Sequence, residues 1–252
     1  MRIKYLNASI SMTIKELLRN RMAVILFFII PTLFYLLIVL TTTGRLISFK
    51  LSAISESTFI QVSEHNESLI FIGMASVCLI TSFISLNLLQ KNWEVNRRLM
   101  LCGYKPAEII FSKLIVLVTL TLLIAVYVGL LILLFFIPKN ITATIAGYLS
   151  GGFVYGCYGL LIGSIFKRDL EGILFIVLLV NIDPGWLQNP VYYTGAQNAV
   201  IIKNLPAYFP SQVSMISAFS NFSIFNPIIG SLVYGLIFLT AALIIFNVRM
   251  KI

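Results

Sequence analysis

Six long apolar stretches, separated by short basic or polar connectors, fill most of this 252-residue chain. A membrane-spanning helix needs about 20 mostly apolar residues, and nearly every charged side chain here falls between the stretches rather than within them. Composition points the same way: 59% hydrophobic and 11% charged residues, with mean hydropathy +0.99, lie far outside the soluble globular range. Spans are predicted at residues 22–42, 69–89, 110–137, 143–166, 170–182 and 226–248. Basic residues precede the first, as in a secretory signal. Its apolar run is too long for one and no small-residue cleavage site follows, so it is expected to remain as an anchor, with a kink at Pro31.

Charge fixes an expected orientation. With both termini inside, the inner segments hold Arg2, Lys4, Lys15, Arg19, Arg21, Lys91, Arg97, Arg98, Lys105, Lys113, Lys167, Arg168, Arg249 and Lys251, fourteen of the eighteen Lys and Arg. The outer segments hold Arg45, Lys50, Lys139 and Lys203, offset by Glu56, Glu64, Glu67 and Asp183. The net charge of +9 thereby follows from topology and contact with anionic lipid; a nucleic-acid role would need a soluble basic domain, which the spacing leaves no room for. Cys78, Cys102 and Cys157 have neither disulfide-framework nor metal-ligand spacing and are expected to be packing residues. His65, beside Glu64 and Glu67, reads as a solvated loop residue or part of a metal site.

Several function classes are disfavoured. Gradient-driven carriers and charge-selective channels place ionisable residues inside the bilayer, and these spans hold essentially none. No His-Glu-x-x-His pair, Gly-x-Ser-x-Gly elbow or nucleotide-binding Gly-x-x-x-x-Gly-Lys-Ser/Thr loop occurs. Uphill movement of a cargo would therefore draw on a partner ATPase. A contact surface is expected at the N-terminus, residues 1–21. There Ile3, Leu6, Ile10, Ile14, Leu17 and Leu18 recur at helical spacing, opposite Arg2, Lys4, Asn7, Ser11, Lys15, Glu16 and Arg19, the pattern of an amphipathic interfacial helix that anchors the chain or transmits force.

The connector at residues 90–113, QKNWEVNRRLMLCGYKPAEIIFSK, is longer than a plain link between two spans requires. It has a polar helix exit, a short helix with Arg97, Arg98, Leu99, Met100 and Leu101, a break from Gly103 to Pro106, and a return through Glu108 to Lys113. In this it resembles the loop between the second and third helices of type-2 ABC exporter permeases. The residues carrying the resemblance are Arg98, Leu99 and Met100, then Gly103, then Glu108, Ile109, Lys113 and Leu114. The acidic residue usual near the membrane exit is replaced by Gln90 and Asn92, with Glu94 set later.

The resemblance covers nearly the whole chain. It implies an all-α integral membrane protein: a six-helix permease domain over residues 22–252, an N-terminal interfacial helix, and an outer re-entrant segment, residues 183–225, after the fifth helix. It implies that Glu94, Arg97, Arg98, Leu99, Met100, Gly103, Lys105 and Pro106 form a coupling helix and turn docked on a separate ATPase subunit, present in two copies. A second permease copy or paralogue completes the assembly. ATP and Mg belong to the ATPase, and this chain needs no cofactor and is no enzyme. The turn at Lys167, Arg168, Asp169 and Glu171 corresponds to a second, minor ATPase contact.

Two further regions have their own signals. Gly147, Gly151, Gly152, Gly156, Gly159 and Gly163 give small-residue spacings that let helices approach closely, within one subunit, at a dimer contact or along a substrate path. The fifth apolar run, residues 170–182, would be about 20 Å long as a helix, short of a hydrocarbon core of about 30 Å, and Asp183, Pro184 and Gly185 are expected to break it. Trp186, Tyr192, Tyr193, Tyr208 and Phe209 then alternate with polar residues, as interfacial segments do. Leu205, Pro206, Tyr208, Phe209, Pro210 and Ser211 resemble the family's proline-bearing turn.

Outer-gate candidates are thus Trp186, Tyr208, Phe209 and Pro210. Apolar substrate-path candidates are Phe27, Phe28, Phe34, Tyr35, Phe83 and Phe175, each of which reads equally as a core or lipid-facing residue. A charge-poor path suits a hydrophobic or amphipathic cargo, a drug or antimicrobial peptide before a lipid or glycolipid, exported across a bacterial inner (plasma) membrane. A membrane scaffold or sensor without transport is the reading from another class.

Overall fold

The computed structural model describes residues 3–19, 21–51, 53, 59–91, 93–166 and 168–250. Arg2, Glu56, Asn92, Lys167 and Lys251, which enter the charge and connector arguments, lie outside the described residues. The elements run α1 (Ile3–Arg19), α2 (Arg21–Thr41), β1 (Leu46–Lys50), β2 (Phe59–Ser63), α3 (Glu64–Gln90), α4 (Trp93–Leu101), α5 (Pro106–Ile132), α6 (Ile141–Ile165) and α7 (Asp169–Ile182). A π-turn, Asp183–Leu187, leads to α8 (Pro190–Gly195), α9 (Ala199–Lys203), α10 (Tyr208–Phe219) and α11 (Phe225–Met250). Among the described residues five helices are long and apolar enough to cross a membrane: α3, α5, α6, α7 continued through its π-turn, and α11. The protein is a multi-pass helical membrane protein.

α6 stands at the centre, against α3, α5, α10 and α11. Its glycines explain how. Gly151 faces Met74 and Cys78 of α3, Gly156 faces Leu117 of α5, and Gly159 lies directly on the Ser82 carbonyl and Ser85 hydroxyl of α3. A Cβ at Gly147 would stand 2.8 Å from the Ser214 backbone nitrogen of α10. In lipid the hydrophobic effect does not drive helices together, so close van der Waals approach at small residues has to do so. These glycines pack helices of one chain against each other.

The connectors fall at two ends of the bundle. One, the basic end, carries α1, α4 and the α6–α7 turn; the other, the hairpin end, carries the β1–β2 pair and α8–α10. The hairpin is antiparallel, Leu46 opposite Ser63 and Lys50 opposite Phe59, and it buries Phe49 edge-on to Phe219 with ring centroids 6.1 Å apart. Beyond it, the Ala53 N–H donates to Gln212 Oε1 at 3.3 Å, tying the hairpin end to α10.

Several expectations need correction. The helix does not break at Asp183: it widens into the π-turn and continues to Leu187, giving 19 residues from Asp169. Glu64 and Glu67 are not loop residues but the first turn of α3, where carboxylates complement the positive end of the helix dipole. Glu67 is buried, and its Oε1 has no hydrogen-bond partner among the described residues. His65 shares a 2.8 Å hydrogen bond with the Thr42 hydroxyl, linking the end of α2 to the start of α3. Cys78 and Cys157 pack in the interior, but Cys102 is exposed, because it follows the last helical residue of α4 in an outward turn. α5 ends at Ile132, short of residue 137.

Among the described side chains of α1 the buried ones are small and polar, with Ile10 and Leu17 half-buried. Ser9 and Thr13 are buried against α5, with Ser9 Oγ 2.7 Å from Ser112 Oγ. Its apolar side chains Met12, Ile14 and Leu18 stay exposed, as an interfacial helix with a lipid-facing side requires.

Candidate functional site

The connector after α3 folds as its spacing dictates. In α4 the residues Trp93, Asn96, Leu99 and Met100 recur on one face. Asn96 is buried, and Trp93, Leu99 and Met100 pack on an apolar cluster that includes Leu89, Ile109, Ile110 and Phe246. Trp93 meets Phe246 edge-on at 6.1 Å, and the Arg249 guanidinium lies over its ring at 5.9 Å. Glu94, Arg97, Arg98 and Leu101 face outward, Leu101 with 84% of its surface exposed.

α4 ends because Gly103 adopts φ +91°, the left-handed conformation that glycine takes without steric cost. The Gly103 N–H donates to the Met100 carbonyl at 2.9 Å and the Tyr104 N–H to the Leu99 carbonyl at 3.1 Å, closing the helix end. α5 then starts with Pro106 in its first turn, where no donor is needed, and the Lys105 N–H donates to the Glu108 carboxylate at 3.1 Å. The result is a nine-residue amphipathic helix seated on the bundle and stopped at its C-terminal end by the Gly103 turn.

Of the coupling candidates, Glu94, Arg97, Arg98, Gly103 and Lys105 lie on the exposed side, whereas Leu99, Met100 and Pro106 are half-buried. Trp93, Asn96 and Leu101 belong with them. The i, i+3, i+6 spacing of Trp93, Asn96 and Leu99 was the signal that marks the seated face.

Three long donors close the basic end beneath this helix. Gln90 Nε2 donates to the Phe166 carbonyl at 3.1 Å and the Arg168 carbonyl at 3.3 Å. Lys113 Nζ donates to the Leu88 carbonyl at 2.6 Å, and Arg249 to the Ser164 carbonyl at 2.9 Å. The Phe166, Leu88 and Ser164 carbonyls are ones that a helix C-terminus leaves without intrahelical partners, and the Arg168 carbonyl lies at the start of α7. Glu108 and Lys113, which carry part of the resemblance, are therefore buried structural residues rather than outward contacts. Gln90 does what an acid cannot, since a carboxylate has no hydrogen to give to two carbonyls. Replacing Gln90 with Glu is expected to cost about 2–3 kcal/mol, measured as a lowered thermal midpoint, while Gln90→Met should cost less because it buries no charge.

The remaining candidates are dispersed. Tyr35 is buried with its hydroxyl over Gly73 and beside Tyr148, and its ring stacks with Phe135 at 6.2 Å. Phe28 is exposed and pairs edge-on with Tyr127 at 5.0 Å, and Phe27 adjoins it. Phe34 is half-buried on α2, Phe83 packs against the core from α3, and Phe175 stacks on Phe166 at 4.7 Å. At the hairpin end, Trp186 is exposed beside Tyr192, while Tyr208 is buried against Tyr193, Phe209 covers Gly230, and Pro210 is buried in the first turn of α10.

Asp183 emerges as the polar centre of that end, whereas its place in the sequence suggested an outer charge and a helix breaker. It is fully buried. Its Oδ2 accepts from the Tyr155 hydroxyl at 2.5 Å and the Ala207 N–H at 2.8 Å, and its Oδ1 accepts from Gln188 Nε2 at 2.8 Å. Gln188 also donates to the Ile202 carbonyl at 3.3 Å. One carboxyl thus joins α6, the π-turn and the segment leading into α10. No protein-family model matches the chain, and no curated protein matches it.

Proposed function

We propose that this chain is the membrane-spanning permease subunit of an ATP-binding-cassette exporter. α4 carries the proposal: a short helix clamped to the bundle by Trp93, Asn96, Leu99 and Met100, displaying Glu94, Arg97, Arg98 and Leu101 to the outside. A helix seated along one face and stopped by the Gly103 turn transmits a push without bending away, and its base is continuous with α5 and α11 through the cluster around Phe246.

In this reading α2 is the first of six spans, the basic end lies in the cytoplasm with both termini, and α8–α10 form an outer re-entrant segment. Two copies, or this chain and a paralogue, pair with two ATPase subunits that bind ATP and Mg. ATPase closure presses on α4, and Arg168, Asp169 and Glu171 give a lesser contact. The cargo is hydrophobic or amphipathic, a drug or antimicrobial peptide, because the faces of α2, α5, α7 and α11 away from the core are apolar and uncharged. Isolation of the chain from its native membrane tests the proposal: a soluble nucleotide-hydrolysing subunit is expected to accompany it, and its absence would remove the proposal.

A further inference from the structure

α1 and α4 enclose an open groove of about 950 Å³ at the basic end, lined by Ala8, Ser11, Met12, Lys15, Glu16, Arg19, Lys91 and Val95. Among the described residues its charge is unbalanced, three cations to one carboxylate. The cations come from two places far apart in sequence: Lys15 and Arg19 stand one turn apart on α1, and Lys91 follows the last residue of α3. Among the described residues none of the three makes an ion pair. The wall is fixed, because the Ser9–Ser112 hydrogen bond holds α1 on α5.

We infer that this groove holds the headgroup of a phospholipid with net negative charge. Phosphate chemistry matches Lys15, Arg19 and Lys91, Ser11 adds a hydroxyl donor, and Glu16 leaves the cations in excess; Ala8, Met12 and Val95 supply the apolar part of the lining that the start of an acyl chain requires. Position decides between a lipid and an acidic protein segment as occupant. The exposed apolar side chains of α1, Leu18 among them at 69% exposure, place this helix at the lipid boundary, so the groove opens where headgroups lie. The bound lipid would join α1 to Val95 on α4, making the seating of α4 sensitive to lipid charge. The inference requires only that the protein lie in a membrane, and it stands or falls separately from the ATPase.

The test uses the full chain in a neutral detergent, titrated with phosphatidylglycerol, phosphatidylcholine or inorganic phosphate, with bound lipid counted by native mass spectrometry and stability followed by thermal melting. Retention of phosphatidylglycerol over phosphatidylcholine is expected, with a raised melting midpoint. The K15Q/R19Q/K91Q variant should bind phosphatidylglycerol on the order of 100-fold more weakly, at about one order of magnitude or less for each cation. Lys91→Gln alone, a single exposed change, should lose about fivefold and guards against a misfolded triple variant. Equal retention of the two lipids, equal protection by inorganic phosphate, or unchanged binding by both variants would overturn the inference. Loss of a co-purifying protein in the triple variant, with lipid binding unaltered, would assign the groove to an acidic protein segment instead.

Discussion

Asp183→Ala is expected to destabilise the protein by about 3–5 kcal/mol, which for a chain of this length lowers the thermal midpoint by roughly 10 °C. The carboxyl is fully buried and accepts from three donors, the Tyr155 hydroxyl, the Gln188 amide and the Ala207 N–H. Alanine leaves all three donors without an acceptor in a site closed to water, and each unsatisfied group costs about 1–3 kcal/mol. Tyr155→Phe removes one donor and keeps the acceptor, so it should cost about 1–2 kcal/mol. Asp183→Asn retains one acceptor oxygen and should fall between. A melting point for Asp183→Ala equal to that of the parent would show that the hairpin end does not depend on this hub.

Gly159→Val should be about as damaging, for a steric rather than a polar reason. The first added atom meets the Ser82 carbonyl and the Ser85 hydroxyl, and the carbonyl is backbone that no rotamer change moves aside. α3 and α6 would have to separate along their most extensive contact, and the expected loss is about 3 kcal/mol or more, visible as poor yield and early melting. Gly163→Ala is the control: there the nearest atom, Leu89 Cβ, is 3.0 Å away, so a small shift suffices and the loss should be much smaller. Equal behaviour of the two variants would contradict the packing described for α6.

The sequence conveyed the apolar spans well because bilayer thickness sets their length. For the five helices long and apolar enough to cross a membrane among the described residues, starts at Glu64, Pro106, Ile141, Asp169 and Phe225 lie close to the predicted ones. The short helix around Arg97 and its glycine stop were legible for a similar reason, since Gly103 is a local conformational signal. Partnerships across the fold were not legible. Asp183 reads as a loop charge until α6 brings Tyr155 to it, and Glu108 and Lys113 read as loop charges until the ends of α3 and α5 meet. The β1–β2 pair was hidden among short polar connectors, because its stabilising contact, Phe49 on Phe219, joins residues far apart in the chain. Gln90 stood out in the sequence as a polar residue where the resemblance led one to expect an acid, and its amide donates to two carbonyls.

The outward face of α4 bears the functional account, so charge reversal there is the most direct test. The measurement is recovery of a nucleotide-hydrolysing subunit with the affinity-purified chain, comparing the parent with an Arg97→Glu, Arg98→Glu double variant. Both arginines are exposed and make no ion pair among the described residues, so the variant should fold and insert normally. The subunit is expected to accompany the parent, and its recovery to fall at least tenfold in the variant, because like charges brought together at a docking surface cost several kcal/mol. Undiminished recovery and nucleotide hydrolysis with the double variant would contradict it.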